Sequence, residues 1–169
     1  MIKNSYKGRV WKFGDGVSTD SIAPGRLLRL RSNPQEYAEH VFEDTRSEFA
    51  KEIKRDDFVV AGYNFGCGSS REIAPIILKL SGVGAILAKS FGRIFYRNAI
   101  NNGMLLIQCD TDGIREGDVL TVDTENNEIR KVNDPGFRLN YRLGAIEKKI
   151  LAEDGLLPYI EKYGSLKEL

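Results

Sequence analysis

Three short apolar runs, residues 58–63 (Phe-Val-Val-Ala-Gly-Tyr), 84–88 and 104–108, constrain this chain of 169 residues more than any other feature. Each has the length and composition of a buried strand. Between the first two, Ile73, Ile76, Ile77 and Leu80 recur at helical spacing and predict one apolar face. Between the second and third, a helix over 94–102 is stopped by Gly103. Strands joined through helices pair in parallel with right-handed crossovers. The expectation is an α/β fold with a βαβαβ centre.

The flanks are shorter elements. Residues 10–13 read as a strand and 14–25 as an irregular, turn-rich segment. Asn33, Pro34 and Glu36 mark a helix start, with Asn33 as cap and the helix running through Tyr37 and Val41. Residues 121–132 alternate about Glu125-Asn-Asn-Glu128 and predict a β-hairpin, and 145–160 predict closing helices broken near Gly155. Without an internal repeat or a second composition class, residues 1–169 read as one domain. The 41% hydrophobic content suffices for one core.

Composition excludes several partners. With 25 Lys+Arg against 24 Asp+Glu, no strong field draws the chain to nucleic acid or an anionic membrane. No signal-like apolar segment opens it and no run approaches a spanning helix, so a soluble, cytoplasmic protein is expected. Cys67, Cys109 and the single histidine, His40, cannot furnish a four-ligand zinc site.

The chemistry-bearing stretch is Asn64-Phe-Gly-Cys-Gly-Ser-Ser-Arg-Glu72, between the first strand and its helix. Pro75 sets the helix start near residues 72–74, which puts Ser69, Ser70 and Arg71 before its N-terminus. Backbone N–H groups and a guanidinium there suit a carboxylate. Arg71 stands where a dinucleotide fingerprint needs its third glycine, and no Gly-Lys-Ser/Thr of a P-loop follows. A serine-hydrolase elbow lacks both its motif and a histidine base near the loop. From the residues alone, a plain glycine-rich turn with hydrophilic side chains stays open.

Three ordered segments carry a resemblance. Gly68-Ser-Ser-Arg-Glu72 is similar to the serine-containing signature of the aconitase swivel domain. Asn64–Glu72 as a whole, and Ser90-Phe-Gly-Arg-Ile-Phe-Tyr-Arg-Asn-Ala-Ile-Asn-Asn-Gly103, resemble the small subunits of 3-isopropylmalate dehydratase and homoaconitase. Thr19-Asp20-x-Ile22-x-Pro24-Gly25-Arg26 matches a third family segment.

The resemblance implies a single swivelling β/β/α domain and a share in a hydro-lyase of leucine biosynthesis. It implies that a partner large subunit binds a [4Fe–4S] cluster, with none bound by this chain. It implies Ser69 as the proton-abstracting base, and Ser70, Arg71, Asp20 and Arg29 as contacts to a hydroxy di- or tricarboxylate. Homoaconitase, 2,3-dimethylmalate dehydratase and a non-catalytic carboxylate-binding module are the alternatives. The chain departs from the family pattern at Ile73, where His is usual, at Ser18, where Asp is usual, and at Leu27, where Tyr is usual. After Arg26, Leu28 and Leu30 offer an apolar lining for an isopropyl group, whereas Arg29 offers a partner to a distal carboxylate.

Overall fold

The structure is a computed structural model that describes residues 2–69 and 71–166. The uninterrupted aliphatic character of β2 (Phe58–Ala61) and β3 (Ala85–Ala88) makes them strands buried at every residue, and β4 (Leu105–Gln108) is buried at all but its last. They pair in parallel, Phe58 beside Ala85 and Ala85 beside Leu105, as the βαβαβ pattern requires. β1 (Ser5–Lys12) extends the group, but its two ends have different neighbours. Val10–Lys12 pairs in parallel with β2, whereas Ser5–Arg9 pairs antiparallel with β5 (Val119–Asp123). β6 (Glu128–Lys131) and β7 (Asp134–Asn140) complete a seven-stranded sheet of order β4-β3-β2-β1-β5-β6-β7.

Asp57 ties the junction. Its buried carboxylate accepts from Arg9 N at 2.9 Å, Lys54 N at 3.0 Å and the Trp11 indole at 3.1 Å, so one side chain satisfies donors on β1 and on the turn before β2.

The helical segments are α1 (Thr19–Ile22), a 3-10 segment (Gly25–Ser32), α2 (Pro34–Ala38), α3 (Phe49–Glu52), α4 (Ile73–Leu80), α5 (Arg93–Asn101), α6 (Ala145–Ala152) and α7 (Leu156–Tyr163). Asn33 caps α2 as expected, its amide also donating to the Glu36 carboxylate at 2.9 Å. That helix stops at Ala38 rather than running through Val41, because the chain turns towards a left-handed Phe42. The expected break between α6 and α7 falls at Gly155, with φ 134°.

Two expectations need correction. The buried face of α4 is Ala74, Pro75, Ile77 and Leu78, while Ile73 and Ile76 are half-buried and Leu80 is exposed. The helix is apolar nearly all round, so spacing alone did not select the inner face; small Ala74 and flat Pro75 allow the closer approach. The strand β7 was also not anticipated, because its opening Asp-Pro-Gly reads as a turn. It is an edge strand, where proline and charge are tolerated and discourage further pairing. Among the described residues, no helix is long and apolar enough to cross a membrane.

Candidate active site

The loop after β2 is fixed from two sides. Phe65 is fully buried against Phe91 and Phe95, with ring centroids 6.2 and 5.4 Å away. Its N–H donates to Ser90 O at 3.0 Å, and its carbonyl accepts from Gly92 N at 2.8 Å. The next residue, Gly66, has φ +77°, and a Cβ there would run into the Phe95 ring, so only glycine fits. On the other side Gly66 N donates to Val17 O at 2.7 Å, and Thr19 N donates to Cys67 O at 2.9 Å. The three segments that carry the family resemblance therefore meet here, at the carboxyl ends of the parallel strands, where α/β sheets commonly place ligands.

Ser69, Asp20 and Arg71 come together. Ser69 Oγ donates to Asp20 Oδ1 at 3.4 Å, and the same carboxylate oxygen lies 2.9 Å from Arg71 Nη2. The Thr19 hydroxyl donates to the Ser69 carbonyl at 2.8 Å and lies 3.4 Å from Ser69 Oγ, while Arg71 N closes a tight turn onto that carbonyl at 2.8 Å. Ser69 and Asp20 face solvent, whereas the Arg71 side chain is only 21% exposed. Its Nη1 donates to Ala23 O at 2.9 Å, and its guanidinium sits beside Gly25. Behind it, the buried Tyr37 hydroxyl donates to Pro24 O at 2.8 Å; burial raises the tyrosine's pKa, which keeps it a neutral donor.

The serine is thus backed by a carboxylate that is itself neutralised by a guanidinium. Of the five N–H donors on Arg71, these contacts engage one on each terminal nitrogen, and the Tyr37 hydroxyl interacts with the same guanidinium. Ser70 lies outside the described residues. Arg29 is exposed on the 3-10 segment, and Leu30 packs partly against the core. Leu28 and Arg31, with Arg71, Glu72, Ile73 and Ile76, line a cavity of about 430 Å³ beside the loop. His40 pairs with Glu43 at 2.5 Å, which gives it a local role. Arg93 and Arg97 are exposed on α5, while Tyr96 is partly buried against the Phe91 ring.

The cysteines do not suit an iron–sulfur cluster, which is held by several thiolates. Cys67 Sγ donates to Gly16 O at 3.3 Å. Burial at the end of β4 pushes the Cys109 thiol up to about 12, so it stays protonated. Two cysteines so placed do not fit the group.

Sequence reasoning did not single out the supports of Arg71. The Ala23 carbonyl carries no side-chain signature, and Tyr37 read simply as part of a helix. Thr19 was visible within its motif, but its hydroxyl bond to the Ser69 carbonyl was not.

Comparison with known proteins identifies the family. The family model described as the aconitase C-terminal domain matches residues 17–112, which include every residue of the site. The 3-isopropylmalate dehydratase small subunit 1 of Thermotoga maritima is 49% identical, over 96% of this chain and 99% of that protein. The isopropylmalate/citramalate isomerase small subunit of Methanocaldococcus jannaschii is 44% identical, over 95% of this chain and 96% of that one. A crystal structure of 3-isopropylmalate dehydratase from the same organism superposes with a TM-score of 0.89 at 45% identity, covering 95% of both chains. On the match across the signature loop and on these full-length likenesses, the chain belongs to the aconitase C-terminal domain family, with the small subunits of 3-isopropylmalate dehydratase.

Proposed function

We propose that this chain is the small subunit of a hydro-lyase that interconverts 2-isopropylmalate and 3-isopropylmalate in the cytoplasm, by removing water and adding it back with the opposite regiochemistry. The observation that carries the reading is the Ser69–Asp20–Arg71 chain, in a loop whose relatives are named for that reaction. Elimination needs a base at the carbon beside the one that bears the hydroxyl. Ser69, as the alkoxide beside the Arg71 guanidinium, takes that proton and becomes the hydroxyl that donates to Asp20, while Thr19 and Arg71 N fix its backbone. A serine hydroxyl is a weak base in water, so the site must be dry and electropositive when it works. Ser69 is exposed in this chain, which fits a site completed by a covering partner.

Arg71 grips a substrate carboxylate through the donors left free by Asp20 and Ala23, and Ser70 assists in positioning. A [4Fe–4S] cluster held by the large subunit would supply the Lewis acidity that polarises the departing hydroxyl. Addition reverses the proton step: Ser69 returns the proton to one carbon while water adds to its neighbour.

The test is anaerobic reconstitution with candidate large subunits, followed by a screen of isopropylmalate, citramalate, homoaconitate and 2,3-dimethylmalate. Isopropylmalate should be turned over by the pair and by neither chain alone. Arg71→Lys should raise KM at least tenfold, because an ammonium cannot reproduce the planar fork. Turnover by the isolated small subunit, or preference for another acid, would contradict the proposal.

A further inference from the structure

Tyr37, fully buried on α2, acts on the Arg71 guanidinium twice. Its hydroxyl donates to Pro24 O at 2.8 Å, and Pro24 follows Ala23, whose carbonyl accepts from Arg71 Nη1 at 2.9 Å. One phenol therefore fixes the chain that supplies the guanidinium with its main-chain acceptor. The hydroxyl also interacts with the guanidinium itself: burial is the leading influence that raises its pKa, and Arg71 acts against that rise. With its single proton directed at Pro24, the oxygen presents only lone pairs to the cation. The helix holds the ring in place, since Asn33 caps it and Phe42 N, beyond its end, donates to Ile22 O at 3.1 Å. Phenylalanine would fill the same core volume. A hydroxyl buried there is costly unless it is partnered, and its partners are the support of Arg71 and Arg71 itself.

We infer that Tyr37 is a positioning residue for the guanidinium that grips the substrate: it sets the plane of the Arg71 fork, through Pro24 and by direct contact, without touching the substrate. The inference rests on the proposed hydro-lyase reading and deepens it. An uncharged partner is what this position needs. Asp20 already offsets part of the cation's charge, and a second carboxylate in place of Tyr37 would compete with the substrate. A neutral hydroxyl orients the guanidinium and leaves its charge for the incoming anion. Bidentate binding requires two parallel N–H bonds in the plane of the bound carboxylate, so a small rotation of the fork weakens it. The field that Arg71 exerts on Ser69 depends on distance and hardly on that plane. Tyr37 therefore governs affinity for the diacid, while the proton step stays with Ser69 and its own contacts.

The test separates KM from kcat in the reconstituted pair. Tyr37→Phe keeps the ring and removes the hydroxyl. KM for isopropylmalate should rise about fivefold, the scale of one hydrogen bond, while kcat stays within about twofold. The second arm repeats the change in an Arg71→Lys background, where the ammonium has no plane to orient. There Tyr37→Phe should raise KM by less than about twofold, because the two residues act as one unit. Subunit association is followed in parallel by size-exclusion chromatography. An unchanged KM in an active, assembled Tyr37→Phe pair overturns the inference and leaves the hydro-lyase reading standing. An equal rise in both backgrounds detaches the hydroxyl from Arg71 and also overturns it. A fall in kcat with loss of subunit association makes Tyr37 part of the packing alone, with the same consequence. A wild-type pair that does not turn over isopropylmalate removes the reading and the inference together.

Discussion

The parallel and antiparallel halves of the sheet solve different problems. β2 and β3 are buried at every residue, so their order depends on apolar packing on both faces. In the antiparallel half β5 alternates between buried and half-buried residues, and β7 is mostly exposed. There charge does more of the ordering: Glu128 lies 2.6 Å from Arg130 and 2.5 Å from Arg138, cross-strand partners on β6 and β7. The candidate site lies on the half whose strands are buried at every residue. A proton-transferring serine must be held to within a fraction of an ångström, and a loop anchored by Phe65 in a packed core can do that. The meander instead closes the far side of β1.

This contrast can be broken by measurement. Phe65→Ala should cost about 3–5 kcal/mol by denaturant titration, the range for deleting a buried aromatic, and should disorder the loop it anchors. The matching change on the edge, Leu139→Ala, should cost about 1 kcal/mol, since that side chain is only partly buried. Equal losses would deny that the two halves differ. Asp57→Ala comes next in size: it strands three donors around a buried site and should cost about 2–4 kcal/mol. Because those donors belong to β1 and the turn before β2, hydrogen exchange should quicken first at that junction.

The smallest effect belongs to the β5–β6 turn. Asp123 accepts from Asn126 N at 2.9 Å, from the Asn126 side-chain amide at 2.8 Å and from Glu125 N at 2.9 Å, and the Asn126 bonds lead in holding its pKa below the ordinary 3.8. A depressed carboxylate stabilises the folded state above its ordinary pKa, and that contribution is lost as pH falls through the lower folded value. The turn should therefore loosen below about pH 3.8, visible in the amide resonances of residues 123–127. Asp123→Asn should flatten that dependence and leave the active-site loop unaffected.

The same contrast explains what the sequence disclosed. Continuous apolar runs are unambiguous, so β2, β3 and β4 were legible, as was the parallel order that follows from their connecting helices. β7 was not, because Asp134, Pro135 and Gly136 carry a turn's composition into an edge strand. The inner face of α4 was misjudged because isoleucines lie on both sides of it. At the site, Ser69, Asp20 and Arg71 stood in recognisable motifs, and the structure brings these side chains together. The Ala23 carbonyl and Tyr37 became visible only in three dimensions, since main-chain acceptors and distant packing partners leave no local pattern. Arg31 rather than Arg29 lines the cavity beside the loop, which only the course of the 3-10 segment decides.

The central claim is that the loop after β2 carries the proton-transferring group. Its most direct test is Ser69→Ala in the reconstituted pair, assayed by exchange of the substrate's carbon-bound proton with solvent deuterium. The account predicts exchange and turnover lowered by about 10²–10⁴-fold, with unfolding midpoint and subunit affinity unchanged, as for loss of a general base. Near-normal exchange in the Ser69→Ala pair would contradict it and move the base elsewhere.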